Sequence, residues 1–232
     1  MDVQGEIKTT KGDMVHALTK GAIASIPVLG NYLSEAFDLL VTQPAEKRKE
    51  NIILMMDERL HRLENTSIDL NSLAENELFL SSVLQATQIA MRTHQNDKLI
   101  ALINSITNVA TDISLNDSKV QMFLSFIDGF NEWHLRLLLF FDDPKGSLES
   151  KGLSSDFYMG GASSALYSYY PELKSEEEFT RQVINDLHHR GLLNSDAGVL
   201  NTMMTGSGIV ASRTTRAGKE FLHFISEPDL IK

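Results

Sequence analysis

The side chains best suited to chemistry gather in one stretch: Arg181, Gln182, Asn185, His188 and Arg190, followed by Arg213, Arg216 and Lys219. Arginine forks onto guanine, and asparagine or glutamine onto adenine, in the major groove. A helix presenting the first five to a duplex, with the last three beside the backbone, would therefore read DNA. Three carboxylates oppose this. Glu176, Glu177 and Glu178 stand at the amino end of the same helix, where they would meet phosphate of like charge. They fit better as partners of the positive end of the helix dipole. Protein contact or a purely structural role is the favoured use of the segment, with DNA binding the alternative.

The remaining candidates have simpler readings. His188 and His189 are adjacent, so on a helix they diverge by about 100° and do not ligate one ion together. The seven histidines are scattered and no His-Glu-x-x-His pattern occurs, so no metal site is expected. Thr205-Gly206-Ser207-Gly208 is glycine-rich, but phosphate-cradling loops lead from a strand into a helix, and this one is expected to join two strands. Arg92-Thr93-His94-Gln95 falls at a helix end, where basic groups complement the carbonyl dipole. There is no nucleophile elbow, no pair of carboxylates beside a base and no cysteine, so neither an enzyme nor a cofactor is expected.

Residues 21–34 carry no charge and include Ile26, Pro27, Leu29 and Gly30. Small residues here permit close helix packing, and Pro27 divides two helices. A buried helical hairpin is the favoured reading. Release of 21–40 onto a membrane is the other, with Glu35 and Asp38 held at the water boundary; the uncharged run falls short of the roughly 20 residues a span requires.

The elements that would position these groups are mostly helices. The stripe Ile52, Met56, Leu60, Leu63 predicts a helix over 45–64, and Ser72 with Glu75 has capping-box spacing ahead of Leu80, Val83, Leu84 and Met91. Leu99, Leu102, Ile103, Ile106, Val109 and Ile113 place a helix over 96–113. Met122, Phe123, Phe126, Ile127 and Phe130 mark another, and the pattern leaves open whether it runs on through Trp133 to Phe141, where Asp142-Asp143-Pro144 ends it. Residues 144–161 shift to Gly, Ser and Asp and are expected to form an irregular connection. Beyond them, Ser175 and Glu178 suggest a second capping box, Phe179, Val183, Ile184 and Leu187 a stripe, and Gly191 a left-handed cap. A hairpin of 199–204 with 209–214 and a last helix over 216–226 complete the order. The expected fold is mainly α, with a helical bundle over 1–125 and a winged helix-turn-helix domain with a small β-hairpin over 126–232.

Of the 232 residues, 42% are hydrophobic and 22% charged, as in ordinary globular chains. The net charge is −10, divided as 16 acidic and 11 basic side chains before residue 126 and 15 and 10 after it, so neither half is a basic module. Phosphate-bearing partners are disfavoured by that field. Without cysteine, and with a start, Met1-Asp2-Val3-Gln4-Gly5-Glu6, unlike a signal peptide, the expected location is the cytoplasm.

Residues 130–226 resemble the winged-helix fold in Trp133-His134-Leu135-Arg136, Arg190-Gly191-Leu192-Leu193 and Thr214-Thr215-Arg216-Ala217-Gly218-Lys219-Glu220-Phe221-Leu222. That fold implies a third helix that enters the major groove when DNA is bound. Over nearly the whole chain, Ile26-Pro27-Val28-Leu29-Gly30, Arg92-Thr93-His94-Gln95 with Lys98-Leu99, and Met204-Thr205-Gly206-Ser207-Gly208 are similar to motifs of a bacterial family akin to the abortive-infection-alpha proteins. The resemblance implies a bacterial protein in a phage-defence setting and carries over no functional residue. Together these readings predict a non-enzymatic regulatory or interaction component with a protein partner, which also forms a homodimer. The alternatives are a DNA-binding regulator and a membrane-acting effector through 21–40.

Overall fold

A computed structural model describes residues 43–64, 72–73, 75–112 and 115–228. The segment 21–40, with Ile26, Pro27, Leu29 and Gly30, lies outside the described residues. The described chain is mainly helical, with one two-stranded sheet. Among the described residues no helix is long and apolar enough to cross a membrane. The residues form two compact units, one drawn from 43–94 and 106–124, the other from 95–105 and 125–228.

In the first unit, α1 (Gln43–Glu64) packs on α2 (Glu77–Arg92). Ile52, Ile53, Met56 and Leu60 of α1 are buried, as the periodicity predicts for a helix with one apolar face. From α2 it is Phe79, Val83, Ala86, Ile89 and Ala90 that are buried, a face displaced from the expected Leu80, Leu84 and Met91. The expected Ser72–Glu75 box is not the cap. Asn76 holds that place, its Oδ1 accepting the Phe79 N–H at 3.1 Å and satisfying one of the donors a helix start leaves unpaired. At the other end the Arg48 guanidinium donates to the Met91 carbonyl at 2.9 Å.

Helix α3 (Asn96–Thr111) is followed by α4 (Asp117–Gly129). All ten residues from Ala101 to Ala110 are buried, so the polar ones need partners; the Ser105 hydroxyl, for example, donates to the Ala101 carbonyl at 2.7 Å.

The second unit is organised around α5 (Glu132–Asp142), which buries Leu135, Leu137, Leu138, Phe140 and Phe141. It is separate from α4, because Asn131 caps it: Oδ1 accepts the Trp133 and His134 N–H groups at 2.9 and 3.4 Å. Phe126 and Phe130 of the preceding turn meet Phe221 edge-on at 5.9 and 6.1 Å. Asp142-Asp143-Pro144 does end α5, and it also begins the next helix. Asp143 accepts the Gly146 N–H at 2.9 Å and Pro144 takes the first turn of α6 (Pro144–Ser150). The expectation of an irregular 144–161 is corrected for 144–150, where proline and aspartate serve as helix-start residues, while 151–158 form neither helix nor strand. Gly152 (φ +67°) closes α6 with the Leu153 N–H bonded back to the Leu148 carbonyl at 3.0 Å.

After strand β1 (Met159–Gly160) come α7 (Ala162–Tyr169), a 3₁₀ turn over Pro171–Ser175 and α8 (Glu177–His189). Helix α8 buries Thr180, Val183, Ile184 and Leu187, whereas Phe179 is exposed. Glu176 precedes α8 without a side-chain cap bond, so the Ser175–Glu178 box is not formed. Gly191 takes φ +73° and the Leu192 N–H returns to the Leu187 carbonyl at 2.9 Å, the left-handed cap expected there. A 3₁₀ turn over Ala197–Leu200, strand β2 (Met204–Thr205), the single turn α9 (Gly206–Ile209) and α10 (Arg216–Ile225) follow.

The expected hairpin of 199–204 with 209–214 is not what forms. β2 pairs antiparallel with β1, Met159 opposite Thr205 and Gly160 opposite Met204. Residues 206–209 coil into a helical turn because Thr205 Oγ1 accepts the Gly208 N–H at 3.4 Å, a side-chain cap that competes with a strand-to-strand turn. Gly206 supplies close approach, not positive φ: a Cβ there would lie 1.7 Å from the Phe157 carbonyl oxygen. Residues 209–214 contribute a single antiparallel bridge among the described residues, Thr214 to Leu193, beside which the Asn194 N–H donates to the Arg213 carbonyl at 2.9 Å.

Candidate functional site

The eight candidate DNA-reading side chains are mostly engaged within the unit. Arg181 pairs with Glu177 at 3.7 Å and Gln182 donates to Asp186 at 2.7 Å. Asn185 Oδ1 accepts the Ala197 N–H at 2.9 Å, tying α8 to the following turn. His188 Nδ1 lies 3.1 Å from the Leu193 carbonyl, which makes that nitrogen the protonated one. Arg190 lies over the Phe126 ring, its guanidinium carbon 5.1 Å from the centroid. Arg216 pairs with Glu220 at 3.1 Å, and Lys219 is exposed.

Arg213 departs most from expectation. Read as a backbone-contacting residue of a wing, it is only 5% exposed. Its guanidinium donates to the carbonyls of Ala211 (2.5 Å), Gly208 (2.6 Å) and Ile209 (3.4 Å), and it meets the Met204 sulfur at 3.4 Å. Burial alone pulls its pKa down from the usual arginine value, because among the described residues its partners are carbonyls and a thioether and not a carboxylate. One planar fork therefore fixes α9 to β2 and to the segment that follows α9.

His134 is the other buried polar centre, though it was not singled out in the sequence as a site. The Asn131 N–H donates to Nδ1 at 3.2 Å, completing a reciprocal cap in which histidine takes the place usually held by glutamate or glutamine. In that neutral form Nε2–H faces Asp186 Oδ2 at 3.4 Å, while the ring stacks on Phe130 at 4.6 Å. Burial lowers its pKa, with Asp186 opposing the shift and the Lys98 ammonium adding to it. Protonation would turn Nδ1 from the Asn131 N–H to Asn131 Oδ1, 3.0 Å away. Both ring nitrogens serve the α5 cap and its link to α8, which is a structural use of a histidine–aspartate pair.

His188 and His189 have ring centroids 6.0 Å apart. Among the described residues no group of three or more His, Asp or Glu is placed to hold a metal ion. A groove of about 200 Å³ between α3, α5 and α10 is lined by Ile100, Leu135, Leu139, Leu222 and Ile225, with the Asp97–Arg136 pair. It is smaller than the roughly 300–1,000 Å³ of small-molecule sites.

The surface that stands out surrounds the β1–β2 ladder. Tyr158 is 91% exposed, Met159 57% and Met203 68%. Met203 immediately precedes β2, two residues before the Thr205 that pairs with Met159. Three rigid features hold this surface in place. Gly206 packs against the Phe157 carbonyl and donates to the Tyr158 carbonyl at 3.0 Å. Gly161 packs against the Leu200 carbonyl, where a Cβ would fall 1.9 Å from the oxygen, and the Ser163 hydroxyl bonds that same oxygen at 2.6 Å. Arg213 pins the far side. Nothing in the local sequence marks Tyr158 and Met159 as exposed on a ladder, since their strand partner lies more than forty residues away. No family model, curated protein or solved structure matches this chain.

Proposed function

We propose that this chain is a non-enzymatic protein-interaction component whose contact surface is the β1–β2 ladder with Tyr158, Met159 and Met203. The observation that carries this reading is the exposure of Met159 on β1 and of Met203 directly before β2, at a ladder that Arg213, Gly206 and Gly161 make rigid. Methionine adapts its unbranched side chain to a partner's shape, and aromatic and methionine side chains are enriched in protein interfaces. A rigid platform lowers the ordering cost of association.

A winged-helix-like module over 130–226 is part of the same reading. It is supported by the order α5, α6, β1, α7, α8, by the Leu193–Thr214 bridge that closes 194–213, and by α10 after it. The resemblance to abortive-infection-alpha proteins supports phage defence in a bacterial cytoplasm as the setting. A duplex-binding role draws less support, because Arg181, Gln182, Asn185, His188, Arg190 and Arg213 already hold partners within the fold.

The test compares the wild-type chain with the Met159→Lys/Met203→Lys variant, first by light scattering alone and with a mixed-sequence duplex at low salt, then by quantitative co-purification from the native cytoplasm. Loss of a stoichiometric protein partner in the variant, with an unchanged unfolding midpoint, is the expected result. A salt-sensitive duplex complex that both proteins form equally would move the function to DNA.

A further inference from the structure

Trp133, Phe140, Tyr169 and Tyr170 form a continuous aromatic cluster on α5 and the end of α7. Buried Phe140 backs both tyrosines, at centroid distances of 5.3 and 6.2 Å, and Trp133 meets Tyr170 edge-on at 5.2 Å. The two tyrosine rings stand perpendicular (89°) with centroids 4.6 Å apart, so together they make a fixed corner. Burial pushes the Tyr170 phenol up to about 12, so it offers a neutral ring face and not a phenolate.

The corner holds a cation. Lys151 Nζ lies 3.8 Å from the Tyr169 centroid and 5.2 Å from that of Tyr170, and it donates to the Tyr169 carbonyl at 3.1 Å. Arg136, over Trp133 at the other end of the cluster, is held differently, by carboxylates: Asp97 at 2.6 Å and Glu132 at 3.1 Å. Among the described residues no carboxylate pairs with Lys151, so rings and one carbonyl alone retain its ammonium. Nor does the helix need this side chain: α6 is closed by backbone bonds from Lys151 and Gly152 to the Leu148 and Glu149 carbonyls, at 3.1 and 2.9 Å.

We propose that the Tyr169–Tyr170 corner is a recognition site for an N-methylated ammonium group, with Lys151 as its tethered resident. A primary ammonium is strongly hydrated and gives up much to enter an aromatic corner. Methyl groups weaken that hydration and spread the charge over surface that fits against ring faces, which is why aromatic corners favour quaternary ammonium ligands. The tether supplies Lys151 at an effective concentration in the millimolar range, so an added ligand competes with it in the intact chain and meets an open site once it is removed. The site is independent of the ladder surface and of the function proposed for it.

The experiment titrates tetramethylammonium, choline and Nε-trimethyl-lysine amide into the full chain and its Lys151→Ala variant. Binding is read from the fluorescence of Trp133, the sole tryptophan, and from NMR shifts at 133, 169 and 170. The expected result is saturable binding to Lys151→Ala and affinity weaker by about tenfold in the wild type. The order of choline and trimethyl-lysine then tells a small metabolite from a modified side chain. Lys151→Ala/Tyr169→Phe, which keeps the ring, retains binding; Lys151→Ala/Tyr169→Ala loses it, with thermal unfolding confirming that the variant is folded. If that last variant fails to fold, the Phe variant and 3,3-dimethylbutan-1-ol, the uncharged counterpart of choline, carry the test. No saturable response in Lys151→Ala, loss of binding with Phe at 169, or an equal response to the uncharged alcohol would overturn the proposal.

Discussion

Replacing Arg213 by methionine keeps an unbranched, apolar stem and removes the fork that joins three carbonyls. Two of its bonds are short, to Ala211 at 2.5 Å and Gly208 at 2.6 Å; the third, to Ile209, is 3.4 Å and contributes little. A hydrogen bond from a charged donor contributes about 1.5–3 kcal/mol. The lower end applies here, because a buried cation held only by carbonyls and a thioether pays for its desolvation, so two short bonds come to about 3 kcal/mol. Lysine retains the charge but not the planar spread of donors, and Arg213→Lys should lose about 1–2 kcal/mol. The assay is urea unfolding of the full chain at pH 7, followed by Trp133 fluorescence, with cross-strand contacts between Met159 and Thr205 read by NMR. A methionine variant within about 0.5 kcal/mol of wild type, with its ladder intact, would refute the reasoning that this arginine pins α9 to β2.

Gly206→Ala should destabilise by at least about 2 kcal/mol and disrupt the ladder, since its Cβ would meet the Phe157 carbonyl oxygen at 1.7 Å. Gly152→Ala, where nothing lies within 4 Å and only φ +67° is at issue, should cost about 1 kcal/mol; equal midpoints for the two variants would contradict the distinction. His134 has a folded pKa below 6.5, so the fold prefers its neutral form. Its contribution is complete above pH 6.5 and is lost as pH falls from there through the folded pKa. His134→Gln, which can still accept from the Asn131 N–H, should flatten that part of the stability–pH curve, and an unchanged slope in urea midpoints would count against the assignment. Met159→Lys/Met203→Lys should leave the urea midpoint within about 0.5 kcal/mol of wild type, because both side chains are exposed.

Helices whose packing is set by their own periodicity were readable in advance. The run from Leu99 to Val109 lies within α3, and Gly191 caps α8, because each is decided by residues within a turn or two. Caps were less readable. Asn76 took the place of the expected Ser72–Glu75 box, the Ser175–Glu178 box did not form, and Asn131 capped a helix start that the pattern had left open, since any Asn, Asp or Ser near a helix start competes for the same unpaired donors. The ladder was not readable at all: β1 and β2 are two residues each, too short to alternate visibly, and their pairing joins residues 159 and 205. Glycines at 206 and 208 pointed to a hairpin turn by composition, whereas Gly206 is there because a carbonyl approaches it. Arg213 was legible only as a charge. Its burial depends on carbonyls of residues 208, 209 and 211 turning inward together, which no residue type signals.

The most direct test of the proposed contact surface is site-specific photocrosslinking in the native cells, with p-benzoylphenylalanine in place of the exposed Tyr158. The prediction is a discrete protein adduct from position 158, absent when the probe replaces exposed Glu178 and lost when Met159→Lys and Met203→Lys are added. The same adduct from both positions, or an adduct that survives the two lysines, would contradict the assignment of the β1–β2 ladder as the surface that meets a partner.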